Sequence, residues 1–93
     1  MITLMARHQV EDWDKWFAIY ESQRGQLAQM GVTREAALRL STDGNHVVVV
    51  HEFASMEAAQ EFLKMTEAPD MAEMLRASGV LPESMTMELF HTY

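Results

Sequence analysis

The most apolar stretch of the chain lies between Asn45 and Phe53, where four consecutive valines stand between two histidines (NHVVVVHEF). A strand with one wet face alternates apolar and polar residues, so an unbroken valine run predicts a central strand that is covered on both faces. The chain's own helices can cover one face. Because 93 residues offer little else, we expect a second copy of the chain to cover the other.

Alternation of apolar and polar residues predicts three more strands, each with its side chains pointing to opposite faces in turn. They are Ile2 to His8, Thr33 to Leu40, and a last strand that begins at Pro82 and alternates from Met85 to Thr92. The Asp43-Gly44 pair between the second strand and the valine strand predicts a hairpin.

Helical spacing predicts two helical regions between these strands. Asp12 is the expected N-cap of the first, and Gly31 its end. Ser55 is the expected N-cap of the second, which Pro69 interrupts and Gly79 ends. The order strand, helix, strand, strand, helix, strand predicts an α+β, ferredoxin-like βαββαβ fold with an antiparallel four-stranded sheet, formed by residues 1–93 as one domain. We expect the first and third strands to be adjacent, central and parallel to one another.

Composition excludes several classes of function. A formal charge of −7 argues against nucleic acid as a partner, and no apolar run approaches the roughly 20 residues that span a membrane. Because cysteine is absent, disulfides and thiolate metal sites are excluded, which agrees with a cytoplasmic location. His46 and His51 fall on opposite faces of one strand, so we expect no metal site.

Two segments carry a resemblance to a known family. The segment His8-x-Val10-x-Asp12-x-Asp14-x-Trp16 and the closing stretch Ala77-Ser78-Gly79-Val80 resemble a small subgroup of the dimeric α/β-barrel superfamily, which includes antibiotic-biosynthesis monooxygenases and polyketide cyclases. The resemblance implies a ferredoxin-like fold and a homodimer that forms through the sheet faces. It also implies that a ligand lies between the helices and the sheet, but it carries no catalytic motif across to this chain.

His8 and His51 are the first candidates for catalysis. Each lies near the C-terminal end of a predicted central strand, so the two side chains could lie near one another on one face. Imidazole titrates near neutral pH and can act as a base or donate a hydrogen bond to a substrate oxygen. The structural alternative is a hydrogen-bonded histidine at the end of a strand.

Arg24 is the third candidate, because its helical spacing places it inside an apolar stripe. It could hold an anionic or carbonyl group in a pocket, or its stem could be buried while its head reaches water. Aromatic residues and one methionine are candidates for lining an apolar pocket, with Tyr20 supplying a hydroxyl. These candidates are Trp13, Trp16, Phe17, Tyr20, Phe62 and Met71.

These residues predict a small-molecule-binding protein. If the chain is an enzyme, we expect a cofactor-independent monooxygenase or cyclase that acts on an aromatic or enolic substrate. The alternatives are a non-catalytic dimeric module with a filled interior and, from the resemblance, a haem-binding protein. A cavity bordered by His8 or His51 favours binding or catalysis, and a solid interior favours the module.

Overall fold

The four predicted strands form one sheet, and the helices pack on one of its faces. The computed structural model describes residues 1–93, and the order of strands in the sheet is β2-β3-β1-β4, with every neighbouring pair antiparallel. The elements are β1 (Ile2–Val10), α1 (Trp13–Gln23), a 3-10 helix (Arg24–Met30), β2 (Val32–Arg39), β3 (His46–Phe53), α2 (Met56–Thr66), α3 (Pro69–Ala77) and β4 (Val80–His91). This architecture confirms the predicted α+β, ferredoxin-like fold.

The valine strand β3 is central and lies beside β1, as predicted, but the two strands are antiparallel. Ile2 lies opposite Phe53, and His8 lies opposite Val47. The prediction that β1 and β3 are parallel was wrong, because the hairpin reverses the direction of the chain between β2 and β3. The first helical region returns the chain so that β2 runs in the direction of β1, and the hairpin then turns β3 the other way.

Both predicted N-caps are confirmed, and each one fixes the start of a helix. The Asp12 carboxylate accepts a hydrogen bond from the backbone N–H of Asp14 at 3.2 Å, and the Ser55 hydroxyl accepts one from the N–H of Ala58 at 3.2 Å. The first helical region is less regular than its spacing predicts. It changes from α to 3-10 geometry at Arg24, next to Gly25, and glycine is a poor helix former.

The buried core lies on the helix-covered face in two clusters. One joins Leu4 and Phe53 of the sheet to Phe62 of α2, and the other joins Val47 and Val49 to Trp16 of α1. Residues of both clusters border an open space between the helices and the sheet. No helix in the structure has the length and apolar character that crossing a bilayer requires.

The edge strand β4 carries a large bulge beside His8. Arg7 pairs with Thr86 and Gln9 pairs with Leu81, so residues 82–85 all lie opposite the single residue between them. The Ser84 hydroxyl stabilises the bulge because it accepts a hydrogen bond from the backbone N–H of Gln9 at 2.8 Å and donates one to the carbonyl of Leu81 at 2.6 Å. Bulges of this kind redirect side chains and are common near functional sites.

Candidate functional site

A cavity of about 170 Å³ lies between the helices and the sheet. Its floor is the helix-covered face of β1 and β3, and its walls come from α1, the 3-10 helix, α2, α3 and the bulged strand β4. Fourteen of its 20 lining residues are hydrophobic. Since an apolar cavity with a few polar groups is the usual form of a small-molecule site, this cavity is the candidate site.

His8 lies on the cavity floor and is almost completely buried, with 4% of its surface exposed. Its ring meets Trp16 edge to face at 5.5 Å between centroids, and its Nδ1 atom is buried without a hydrogen-bond partner. Burial lowers the pKa of His8 from the usual 6.5 to about 4, with a smaller contribution from nearby His46. The imidazole is therefore uncharged at neutral pH.

His51 is the second polar residue of the floor and has a similar environment. It is 7% exposed, its ring meets Phe62 edge to face at 5.1 Å, and its Nε2 atom is buried without a partner. Burial lowers its pKa to about 4 even though the charge of Glu35 acts in the opposite direction. Glu35 faces His51 directly in the β2–β3 register.

The two histidines share one face and one cavity, but they lie at opposite ends of it. His8 pairs with Val47 and His51 pairs with Leu4, which is a four-residue offset along the antiparallel strands. The strand rise and spacing place their Cα atoms roughly 14 Å apart. They are not a hydrogen-bonded pair, so each can act only on a different part of a bound molecule.

Tyr20, Glu35 and Arg24 form a polar cluster at the β2 side of the cavity. The Tyr20 hydroxyl donates a hydrogen bond to the Glu35 carboxylate, and Arg24 Nε lies 2.8 Å from the other carboxylate oxygen. Burial, followed by Glu35, raises the pKa of the Tyr20 phenol above its usual value. The hydroxyl stays protonated and is already engaged, so Tyr20 contributes mainly its ring to the cavity wall.

Arg24 does not line the cavity. Its side chain is 37% exposed, pairs with Glu35 and with Glu21, and lies over the rings of Phe17 and Tyr20 at 5.8 and 5.2 Å. The structure therefore places this guanidinium behind the cavity wall, where it holds Glu35 rather than a ligand.

The six predicted lining residues divide into two groups. Trp16, Tyr20, Phe62 and Met71 line the cavity. Trp13 and Phe17 do not line it; they stack on each other with ring centroids 5.1 Å apart and pack against the core cluster around Trp16. The aromatic stripe is wider than the cavity, so helical spacing alone could not separate the two groups.

Several lining residues were absent from the prediction. The amides of Gln23 and Gln26 close the α1 side, and Met74 of α3 and Met85 of the bulge contribute thioethers. Gln23 Nε2 reaches Met74 Sδ at 2.5 Å and so connects α1 to α3. The nine methionines were a usable signal, because five of them line the cavity: Met30, Met71, Met74, Met85 and Met87.

The side chains present do not form a cluster of metal ligands. No group of three or more histidine, cysteine, aspartate or glutamate side chains could hold a metal ion. A cavity of about 170 Å³ is near the size that holds a single benzene ring, and a porphyrin is several times larger.

Comparison with known proteins supports the fold. No family model and no curated protein sequence matches the chain. Among solved structures, SnoaB, a cofactor-independent oxygenase from Streptomyces nogalater, superposes with a TM-score of 0.76 at 20% identity, covering 99% of this chain and 92% of that one. An antibiotic biosynthesis monooxygenase superposes with a TM-score of 0.73 at 12% identity, covering 100% and 99% of the two chains.

A third structure, a conserved protein from Methanosarcina mazei Go1, superposes with a TM-score of 0.74 at 11% identity, covering 99% of this chain and 92% of that one. Identities this low establish the shared fold and leave the chemistry to the residues of each site. The structures thus confirm, at the level of the fold, the resemblance inferred from the sequence: the chain has the fold of the antibiotic-biosynthesis-monooxygenase-like proteins.

Proposed function

We propose that this chain is a homodimeric small-molecule-binding enzyme that removes a proton from an aromatic or enolic substrate without a dedicated cofactor, as a monooxygenase or cyclase. The observation that carries the proposal is the apolar cavity with two buried histidine nitrogens that have no partner inside the protein. A filled, purely structural module would have neither. The shared fold with SnoaB, a cofactor-independent oxygenase, adds support.

His51 is the better placed base. Its uncharged imidazole accepts a proton from the substrate, and Glu35 on the neighbouring strand favours the imidazolium that results. His8 lacks this help, because the charge that acts on it is that of His46, which disfavours protonation of His8. The imidazolium and the enolate form in contact, so the cavity holds an ion pair and never an isolated charge.

The substrate anion is the species that either reaction class uses. In the oxygenase case it transfers electrons to dioxygen, one oxygen atom stays on the substrate carbon and the other leaves as water. In the cyclase case the carbanion attacks a carbonyl of the same molecule. Arg24 has no direct part in either step, since it contacts Glu35 and not the cavity.

Proton removal can be tested apart from the later chemistry. NMR measures the exchange of the acidic protons of phenylacetone, an enolisable single-ring ketone, for deuterium in heavy water. The protein accelerates the exchange, and His51→Phe slows the catalysed rate by about 100-fold, the lower range of a general-base contribution. The control His91→Gln changes an exposed histidine outside the cavity and leaves the rate unchanged. Equal rates in His51→Phe and the wild type contradict the assignment.

The outer face of the sheet supports the homodimer. This face carries Met5, Ala36, Leu38, Val48, Val50 and Phe90. Leu38 and Phe90 are 51% and 44% exposed, and a large apolar patch of this kind is unusual on a monomer. The charged residues on the same face are Arg7, Arg34, Glu52 and Glu88, which balance although the whole chain carries −7. A second copy can therefore approach this face without net electrostatic repulsion between the two sheets.

Sedimentation equilibrium tests the assembly. Leu38→Glu puts a carboxylate into the proposed interface and converts the dimer to a monomer of 10.7 kDa. Met65→Glu, which adds the same charge at a 39% exposed site on α2, leaves the dimer intact. A wild-type monomer at micromolar concentration, or a dimer that survives Leu38→Glu, contradicts the proposed interface.

A further inference from the structure

The cavity lining contains no charged side chain, which sets it apart from the rest of the molecule. The chain has 21 Asp, Glu, Lys and Arg residues among 93, and none of them is among the 20 that line the cavity. Arg24 and Glu35, which lie behind the wall, pair with each other at 2.8 Å. At neutral pH the lining therefore carries no charge of its own that could compensate one that a ligand brings with it.

Most polar groups of the lining are already engaged within the protein. The hydroxyls of Thr66 and Ser78 donate to backbone carbonyls of their own helices, at 2.7 Å each. Tyr20 donates to Glu35, and the Gln23 amide nitrogen contacts Met74. These groups therefore contribute little to the orientation of a ligand.

The two histidines are the buried exceptions, since Gln26, which also forms no side-chain hydrogen bond, is exposed to solvent. His8 Nδ1 and His51 Nε2 belong to side chains more than nine-tenths buried, and both atoms lack a partner. Both rings line the cavity and each has a nitrogen without a partner in the protein, so a ligand that hydrogen-bonds to the imidazoles gains affinity. Because the two residues lie roughly 14 Å apart at the Cα atoms, one molecule reaches both only from its opposite ends.

The size of the cavity limits the body of that molecule. An engineered apolar cavity of about 150 Å³ in another protein holds one benzene ring. The present cavity measures about 170 Å³. The enclosed part of the ligand is therefore about one ring in size.

We propose that this cavity selects an uncharged ligand of single-ring size that carries hydrogen-bonding groups at two opposite ends, one for His8 and one for His51. This inference rests on the proposed function, because it describes the ligand of the same cavity. It adds a rule of discrimination: carboxylates and ammonium ions of the same shape are excluded.

Four probes of matched shape separate charge from hydrogen bonding. para-Hydroxybenzyl alcohol is uncharged and polar at both ends, and para-cresol lacks one polar end. para-Hydroxybenzoate and para-hydroxybenzylamine replace that end by an anion and a cation. Isothermal titration calorimetry at neutral pH measures the dissociation constant of each probe with the wild-type protein.

The alcohol binds best. Each charged probe binds at least roughly 100-fold more weakly, because its charge is buried without a partner. para-Cresol binds roughly 10-fold more weakly than the alcohol, the usual value of one hydrogen bond. Of His51→Phe and His8→Phe, the variant that lacks the partner of the hydroxymethyl group loses most of the difference between the alcohol and para-cresol. That variant still binds para-cresol, which shows that it is folded.

Other outcomes overturn the inference in distinguishable ways. If the benzoate or the amine binds within 10-fold of the alcohol, the charge rule is wrong although the cavity remains a binding site. If para-cresol equals the alcohol, the requirement for two polar ends is wrong. If none of the four probes binds, the inference and the proposed function fail together.

Discussion

Acid is expected to destabilise the fold through the two buried histidines. Both have a folded-state pKa of about 4 against the usual 6.5, so the unfolded chain takes up protons first as the pH falls. Above pH 6.5 both histidines are uncharged in the folded and the unfolded state, so they do not change the free energy of unfolding. Between pH 6.5 and 4 the folded state loses stability, and below pH 4 the loss is constant.

The size of the effect follows from these pKa values. At pH 4 each histidine lowers the free energy of unfolding by about 3 kcal/mol relative to pH 7, as an order of magnitude. Together they remove about 6 kcal/mol, which is comparable to the whole stability of many small domains. We therefore expect the protein to be close to unfolding near pH 4.

Urea denaturation followed by circular dichroism at several pH values measures this loss. The single variants His8→Phe and His51→Phe each retain an aromatic ring but remove one titration, so each halves the loss between pH 7 and 4. The exposed His91→Gln serves as the control and follows the wild type. If stability is flat between pH 7 and 4.5, or if both buried variants keep the wild-type slope, the reasoning from burial is refuted.

Two further predictions concern single hydrogen bonds. Tyr20→Phe removes the donor to Glu35 and should lower the free energy of unfolding by about 1–2 kcal/mol in urea titrations, whereas Tyr93→Phe at the exposed C-terminus should have no effect. Ser84→Ala removes the hydroxyl that bridges the β4 bulge and should cost about 1 kcal/mol, whereas Ser22→Ala on the exposed side of α1 should cost less. An equal effect of either variant and its control contradicts the corresponding role.

The sequence predicts the strands and helix starts well because these depend on local physical chemistry. Local sequence determines each of these features. The caps at Asp12 and Ser55 bond to residues two or three positions along the chain, and the strand patterns, including the valine run, repeat over a few residues. The hairpin before β3 also forms where the Asp-Gly pair predicts it. However, Gly44 lacks a positive φ there and instead packs closely against the Arg39 guanidinium.

The arrangement of the site was predicted only in part, because it depends on the direction and offset of strands. The sequence identified His8, His51, Trp16 and Phe62 as candidates, and all four line the cavity. It could not place the histidines at opposite ends, since that follows from the antiparallel register. The sequence also did not predict the bulge of β4, for which Pro82 inside a strand pattern is the one sequence signal.

Arg24 shows why spacing alone misassigns a polar residue. Its position in an apolar stripe predicted either a guanidinium that points into a pocket or a buried aliphatic stem with the guanidinium in water. In the structure the guanidinium lies over two aromatic rings and pairs with Glu35. Its partner is a residue of β2, eleven positions along the chain. No pattern within the helix could reveal that contact.

NMR of the methionine methyl groups during titration with para-cresol tests the central claim most directly. The account predicts saturable shifts at the five lining methionines, Met30, Met71, Met74, Met85 and Met87, while the four others, Met1, Met5, Met56 and Met65, stay in place as internal controls. If no methyl signal moves, or if all nine move alike, the space between the helices and the sheet is not a ligand site.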